Sequence, residues 1–374
     1  MKKLLFSVSL TALCLLSILS ATCEEHDSLN REVRILKPGT SHYIYDYSNE
    51  KGNTKINVFE VDLSDRNISI KVGLPDRKNL KSKEKLTEIV QREKAFAGIN
   101  ANYFDVAAGN PLGVLISDGD WLVGPIFNRV AIGFTKHKEV LISQIMASGT
   151  ASLYKGFIRR KPYAMFDING FNTPPHLYKG TGLFTNLWDK EFILPEGKTA
   201  VLVRRNSVRD IISDSSKITI KDYILLTGKS EEINLLENGD KIRISWNTIP
   251  DWENVKEAVS GGPYLVMDGQ VYIDEREERI RFSKNDSYAA RSAIGVDSNN
   301  KLYLITVDAN KKNGFPGLSL RELAEFLYNI GLKDAINLDG GGSSTLVIDG
   351  KMVNNPGSHH ERKISNGLLI MYRD

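Results

Sequence analysis

Short β-rich runs broken by turn residues follow one another along most of this 374-residue chain and leave room for few helices. The runs are His42–Tyr47, Lys55–Leu63, Ile68–Val72, Phe96–Asn100, Gly113–Ser117, Val130–Thr135, Val140–Ser143, Ala200–Arg204, Ile218–Leu226 and Lys241–Trp246. Their lengths and their β-branched and aromatic residues read as strands. A helix is expected around Lys85–Glu93, and a second is better specified. Ser319 and Glu322 have capping-box spacing, Leu320, Leu323, Ala324, Leu327 and Ile330 share one face, and Gly331 is placed to end it. This helix separates Lys301–Val307 from Ala335–Leu338. A strand–helix–strand unit predicts two parallel neighbours, with Asp339 at the C-terminal end of the second. The stretch 156–196 reads as loop-rich and aromatic. The expected fold is α+β, a mixed, curved β-sheet with a few helices.

Lys2 and Lys3 precede the apolar run Leu4–Leu19, which closes on Ser20, Ala21, Thr22 and Cys23. That run is too short for a stable membrane span, so residues 1–22 read as an export signal. Cys14 and Cys23 are the only cysteines, which excludes a disulfide or a cysteine metal site from the exported body. "ILSATCEEHD" resembles a bacterial lipoprotein signal, with Cys23 lipidated as the first mature residue. The expected location is the cell envelope, with membrane contact only through that lipid. Residues 23–39 read as a tether, 40–94 as an N-terminal β-rich extension, and 95–374 as one large domain. With Lys2 and Lys3 set aside, 47 basic residues face 46 acidic ones, a balance that offers nucleic acid no charged stripe.

Near the C-terminus, "AINLDGGGSSTLVIDGK" (335–351) sets three glycines between an aspartate and two serines. It lacks the Lys-Ser/Thr of a phosphate loop, opens no helix as GxGxxG would, and misses the nucleophile-elbow spacing. A run of exposed N–H groups there can form an anion-binding concavity. Four further stretches share its character: "GINANYFD" (98–105), "SGGPYLV" (260–266), "ARSAIGVD" (290–297) and "HHERKISNGLL" (359–369). Singly, these are turn caps, strand starts and a surface ion pair.

Together and in this order, "GINANYFD", "SGGPYLV", "RSAIGV", "LDGGGSSTLV" and "ERKISNGL" resemble the phosphodiester glycosidase family. The resemblance extends over approximately 95–372 and includes the aromatic "LYKGTGLFTN". One position departs from it: Ala101 stands where the first motif often carries glycine. The resemblance implies cleavage of a sugar-1-phosphodiester, within a phosphate-linked glycan, to free sugar and phosphomonoester. Such chemistry needs an anion clamp and a carboxylate beside an oxocarbenium-like sugar. Arg291 and Arg362 are candidates for the clamp, since a guanidinium pairs bidentately with phosphate. The N–H groups of Gly340, Gly341, Gly342 and Ser343 would add donors. Asp339 and Glu361 are the candidate base and nucleophile, in either order. Asn102, Asp105, Ser343, Ser344 and Asn366 are candidates for sugar hydroxyls, and Phe104 for an apolar sugar face. Asp105 and Asp339 carry oxygens that suit calcium or magnesium, but no EF-hand spacing accompanies them, and no cofactor is expected. The competing expectation is a non-catalytic glycan-binding lipoprotein.

Overall fold

The computed structural model describes residues 30–155, 161–214, 217–228, 231–273, 278, 287–309, 314, 316–357 and 360–373. The export signal and Cys23 lie outside these residues. The largest sheet has eight strands, in the spatial order Arg31–Ile35, Thr40–Asn49, Gly52–Asp62, Lys301–Val307, Arg291–Asp297, Leu332–Asn337, Tyr264–Met267 and Gln270–Val271. Every pairing in it is antiparallel, which corrects the expectation of a mixed sheet. The strand–helix–strand unit does form, yet Arg291–Asp297 lies between its two strands. A short turn joins Arg291–Asp297 to Lys301–Val307, so that hairpin occupies the edge a direct parallel neighbour would need.

Two five-stranded sheets complete the body. One runs Asp120–Val123, Leu115–Ser117, Val255–Ser260, Val130–Thr135, Val140–Gln144. The other runs Lys351–Met352, Leu346–Ile348, Ala97–Asn100, Gly367–Tyr372, Ile68–Gly73. Phe59, Ile99, Leu115, Ile132, Leu304, Leu338 and Leu368, drawn from all three sheets, bury together in one core. Burial of each such side chain stabilises by roughly 1.5–3 kcal/mol. The stretch 40–94 is stitched into this body, because Gly52–Asp62 pairs with Lys301–Val307 and Ile68–Gly73 with the last strand. Arg31–Ile35, inside the expected tether, is an exposed edge strand.

Between Val140–Gln144 and Val255–Ser260 the chain leaves the body to build a closed seven-stranded barrel. Its strands lie in the order Met146–Tyr154, Ala164–Phe171, Thr181–Thr185, Tyr223–Thr227, Thr199–Arg204, Ser207–Ile212, Lys241–Ile249. The described part of 156–196, expected as loop, therefore supplies two barrel strands. The parallel pairing of Ala164–Phe171 with Thr181–Thr185 is set by tertiary closure rather than by a local hairpin. Ala151, Leu153, Val201, Val203, Val208 and Leu225 fill the interior.

Helices are few. Among the described residues the α-helices are Leu86–Glu93, Leu320–Asn329 and the single turn Glu231–Asn234, so the fold is β-rich. The capping box is formed as spaced: Glu322 N–H donates to Ser319 Oγ at 3.2 Å, and Ser319 N–H to Glu322 Oε2 at 3.0 Å. Leu320, Leu323, Ala324, Phe326 and Leu327 are buried on the large sheet.

Candidate active site

Asp339 emerges two residues past the strand Leu332–Asn337, where two sheets meet. Asn100 joins them: its Nδ2 donates to the Asp339 carbonyl at 2.6 Å, and its Oδ1 accepts from the Ser292 hydroxyl at 2.7 Å and Thr345 N–H at 3.0 Å. Asp339 N–H donates to the Ala101 carbonyl at 3.0 Å. The backbone carrying the carboxylate is thus fixed from three sides. Ala101 itself is buried in the core, so the methyl at this position is accommodated.

Burial pushes the Asp339 carboxyl up to about 6, against the lowering effects of the Ser343 hydroxyl, the Arg362 guanidinium and Gly340 N–H. Arg362 is exposed, and its Nη1 donates to Ser343 Oγ at 3.3 Å. The guanidinium lies across Gly342, where an added Cβ would stand 2.6 Å from Nη2. That close approach is one reason the loop is bare of side chains.

The anion concavity expected of this loop is not built that way. Gly341 N–H donates to the Ala290 carbonyl at 2.8 Å, Ser343 N–H to Gly340 at 3.2 Å and Ser344 N–H to Gly341 at 3.1 Å. Gly340 N–H serves Asp339. The loop winds into a 3₁₀ turn over Gly341–Ser343, and the donors of Gly340, Gly341, Ser343 and Ser344 are taken up by the fold.

A second polar group adjoins Asp339. The Tyr103 hydroxyl donates to the Gly262 carbonyl at 2.9 Å and accepts from Asn337 Nδ2 at 2.6 Å. Burial, then the Asp339 charge, hold this phenol far above its ordinary range, so it stays protonated. Arg129 lies 5.3 Å from the Tyr103 ring centroid. Its Nε, the Asn337 Oδ1 and the Ser344 Oγ are buried with no hydrogen-bond partner among the described residues. The motif "SGGPYLV" shapes this corner: a Cβ on Gly261 would fall 2.0 Å from the Asn337 carbonyl oxygen, which instead accepts Gly262 N–H at 2.7 Å.

Arg129 and Tyr103 were not among the candidates, although a signal for the arginine existed. "RVAIGF" (129–134) repeats the pattern of "RSAIGV" (291–296), an arginine opening an apolar strand.

Several candidates take other roles. Arg291 is buried, with Nε donating to the Leu318 carbonyl at 3.0 Å and Nη2 to the Ser287 carbonyl at 2.6 Å, so these nitrogens anchor main chain. Glu361 accepts Thr87 N–H at 2.9 Å and the Thr87 hydroxyl at 2.6 Å, so it caps the N-terminus of the helix Leu86–Glu93. Asn102 is buried; it donates to the Leu112 and Val114 carbonyls and accepts Ser260 N–H. Asn366 accepts Asn102 N–H at 3.0 Å. Phe104 packs among Leu86, Val347 and Ile364 instead of presenting a face to a sugar. Asp105 accepts the N–H groups of Ala107 and Ala108 in a local turn. Arg291, Asn102 and Asn366 are buried polar groups that find their partners in the fold, as burial requires. Among the described residues, no three His, Cys, Asp or Glu side chains gather as a metal site.

Replacing Glu361 by Gln should therefore cost stability, about 1 kcal/mol for a weakened helix cap, while leaving most turnover in place. Thermal melts and steady-state rates on the purified variant check this. A loss of rate beyond a hundredfold with an unchanged melt would return Glu361 to the chemistry.

Residues 198–371 match the family model described as phosphodiester glycosidase. Human N-acetylglucosamine-1-phosphodiester alpha-N-acetylglucosaminidase is 36% identical over 126 residues, which cover 31% of this chain and 24% of that enzyme. The mouse enzyme of that name is 38% identical over 112 residues, covering 28% of this chain and 21% of its own length. The matches thus span about a quarter of these relatives. Among solved structures, a hypothetical protein from Synechocystis superposes with a TM-score of 0.82 at 21% identity, over 93% of this chain and 64% of that one. The zebrafish catalytic domain of the same named enzyme, auto-inhibited by its pro-peptide, superposes with a TM-score of 0.52 at 20% identity, over 93% and 90%. At these identities the superpositions speak to fold alone, whereas the family model covers the residues around Asp339. Over residues 198–371 the chain matches the phosphodiester glycosidase family.

Proposed function

We propose that this protein hydrolyses a sugar-1-phosphodiester within a phosphate-linked glycan. The observation that carries this reading is a carboxyl raised to about 6 beside the exposed Arg362, adjoined by Tyr103, over whose ring lies the half-buried Arg129 with a buried Nε that has no partner among the described residues. Asp339 acts at the anomeric centre as base or nucleophile. The bond from the anomeric carbon to the phosphate oxygen breaks, water supplies the new hydroxyl of the sugar, and the phosphomonoester leaves with its electron pair. Phosphate is a good leaving group, so a strong acid on that side is not required. Arg362 and Arg129 hold the diester anion, and Tyr103, a neutral phenol with its proton held by the Gly262 carbonyl, accepts at the substrate without adding charge.

Incubation with a panel of sugar-1-phosphodiesters should release reducing sugar. Arg362→Ala and Arg129→Ala should each lower kcat/KM by roughly ten- to a hundredfold, the loss of a charge-assisted hydrogen bond of about 1.5–3 kcal/mol. A neutral aryl glycoside of the same sugar should be spared. Inactivity of the folded parent across the panel, or equal loss on both substrates, would sink the assignment.

Export and lipidation at Cys23 belong to the same reading of an envelope enzyme. Cys23→Ser should move the protein from the membrane to the soluble fraction. Unchanged fractionation would remove the anchor, since stable anchoring needs the lipid chains attached there.

A further inference from the structure

We propose that the barrel carries a second anion site, which takes a phosphate group elsewhere on the glycan than the one being cleaved. The reading above supplies only the class of anion; the site itself stands on the barrel's own residues. A cavity of about 520 Å³ is lined by Arg204, Arg205, Arg209 and Lys221, with Asp210 as its only carboxylate. Asp339 and Arg362 take no part in it, because it is built from barrel strands and their connections alone. That volume suits a sugar phosphate rather than a bare ion.

The four cations are exposed, and none makes a carboxylate ion pair among the described residues. Surface cations of a balanced protein are usually interspersed with carboxylates, so four of them around one concavity against one acid give a local excess that favours an anion. The neighbouring Asp222, outside the cavity lining, accepts Arg205 N–H at 3.0 Å, and even with its charge counted the four cations remain in excess. The backbone gathers the cations. Arg205 and Asn206 both have positive φ in the two-residue hairpin turn, which sets Arg204 and Arg205 at its tip. Arg209 is the extra residue of a β-bulge, since Leu202 faces Asp210 while Val203 faces Val208. A bulge of this kind re-aims a side chain out of the strand's alternation.

An independent observation comes from Tyr223, which lines the same cavity and is only 9% exposed. Its hydroxyl is buried with no hydrogen-bond partner among the described residues. A buried hydroxyl without a partner is costly, and a phosphate oxygen would satisfy it. Arginine forks pair bidentately with phosphate, and the phenol offers one more donor.

The test uses the full chain carrying Asp339→Asn, so that binding is read without turnover, with N-acetylglucosamine 6-phosphate as the probe in calorimetric titrations. Arg209→Glu combined with Lys221→Glu should weaken a binding event by tenfold or more, and Tyr223→Phe should weaken it severalfold. Neutral N-acetylglucosamine should not compete. Should the charge-reversed pair melt early, Arg204→Gln with Arg209→Gln carries the same test. Binding that only Arg362→Ala removes, or none at all, would overturn the site. Barrel-dependent binding by a parent chain that cleaves no diester would uphold the site and overturn the catalytic reading instead.

Discussion

Asp339→Asn should lower kcat on a sugar-1-phosphodiester by about 10²–10⁴-fold, the range expected when a positioned proton-transfer group is removed. The amide keeps the shape and can still accept from Ser343, so the loop should hold. In the parent, kcat/KM should fall roughly tenfold per pH unit below about 6, because a protonated Asp339 can be neither base nor nucleophile. A profile flat between pH 5 and 7, or a variant that keeps its rate, would remove Asp339 from the chemistry.

The same raised pKa has a consequence for stability with a definite sign. Folding lifts Asp339 from an ordinary 3.8 to about 6, so between these values the folded chain binds a proton that the unfolded chain has released. Stability therefore rises as pH falls through 6, and above 6 the fold bears the full cost of the buried charge. Burial shifts Asp308 to about 6 and Glu257 to about 7 in the same direction. Asp339→Asn should flatten its share of this dependence and should not lower the melting temperature at pH 7.

Arg291→Ala should unfold the protein more readily rather than discriminate among substrates. The change removes a buried side chain and its two hydrogen bonds to the Leu318 and Ser287 carbonyls, of which Leu318 keeps the Ala289 N–H and Ser287 can turn to solvent. Hydrogen bonds to a charged group are worth about 1.5–3 kcal/mol each, so with the lost packing a loss of roughly 2–4 kcal/mol is expected, seen as a lower denaturation midpoint at unchanged m. Arg291→Lys should recover part of it. A variant as stable as the parent, with a loss confined to the phosphodiester, would restore Arg291 as a substrate clamp.

Strand positions were legible in the sequence because β-branched runs between turn residues allow little else; Val130–Thr135 has the bounds its residues predicted. The capped helix was legible for the same reason, its cap and its apolar face being local properties. Asp339 stands beside a loop whose glycines signal close approach, and the group that approaches Gly342 is the Arg362 guanidinium. Which polar residues serve the site and which serve the fold was not legible. Asn102, Glu361 and Arg291 have the residue types of ligands, yet their partners lie at Ser260, Thr87 and Leu318, distant in sequence. Arg129 earns attention only because tertiary packing sets it over Tyr103 and buries its Nε without a partner. The sequence determined strands, caps and close approaches, which depend on neighbours along the chain. The tertiary structure alone decided the antiparallel insertion of Arg291–Asp297, the closure of the barrel and the assignment of polar partners, because each depends on a long-range choice among alternatives that are locally equivalent.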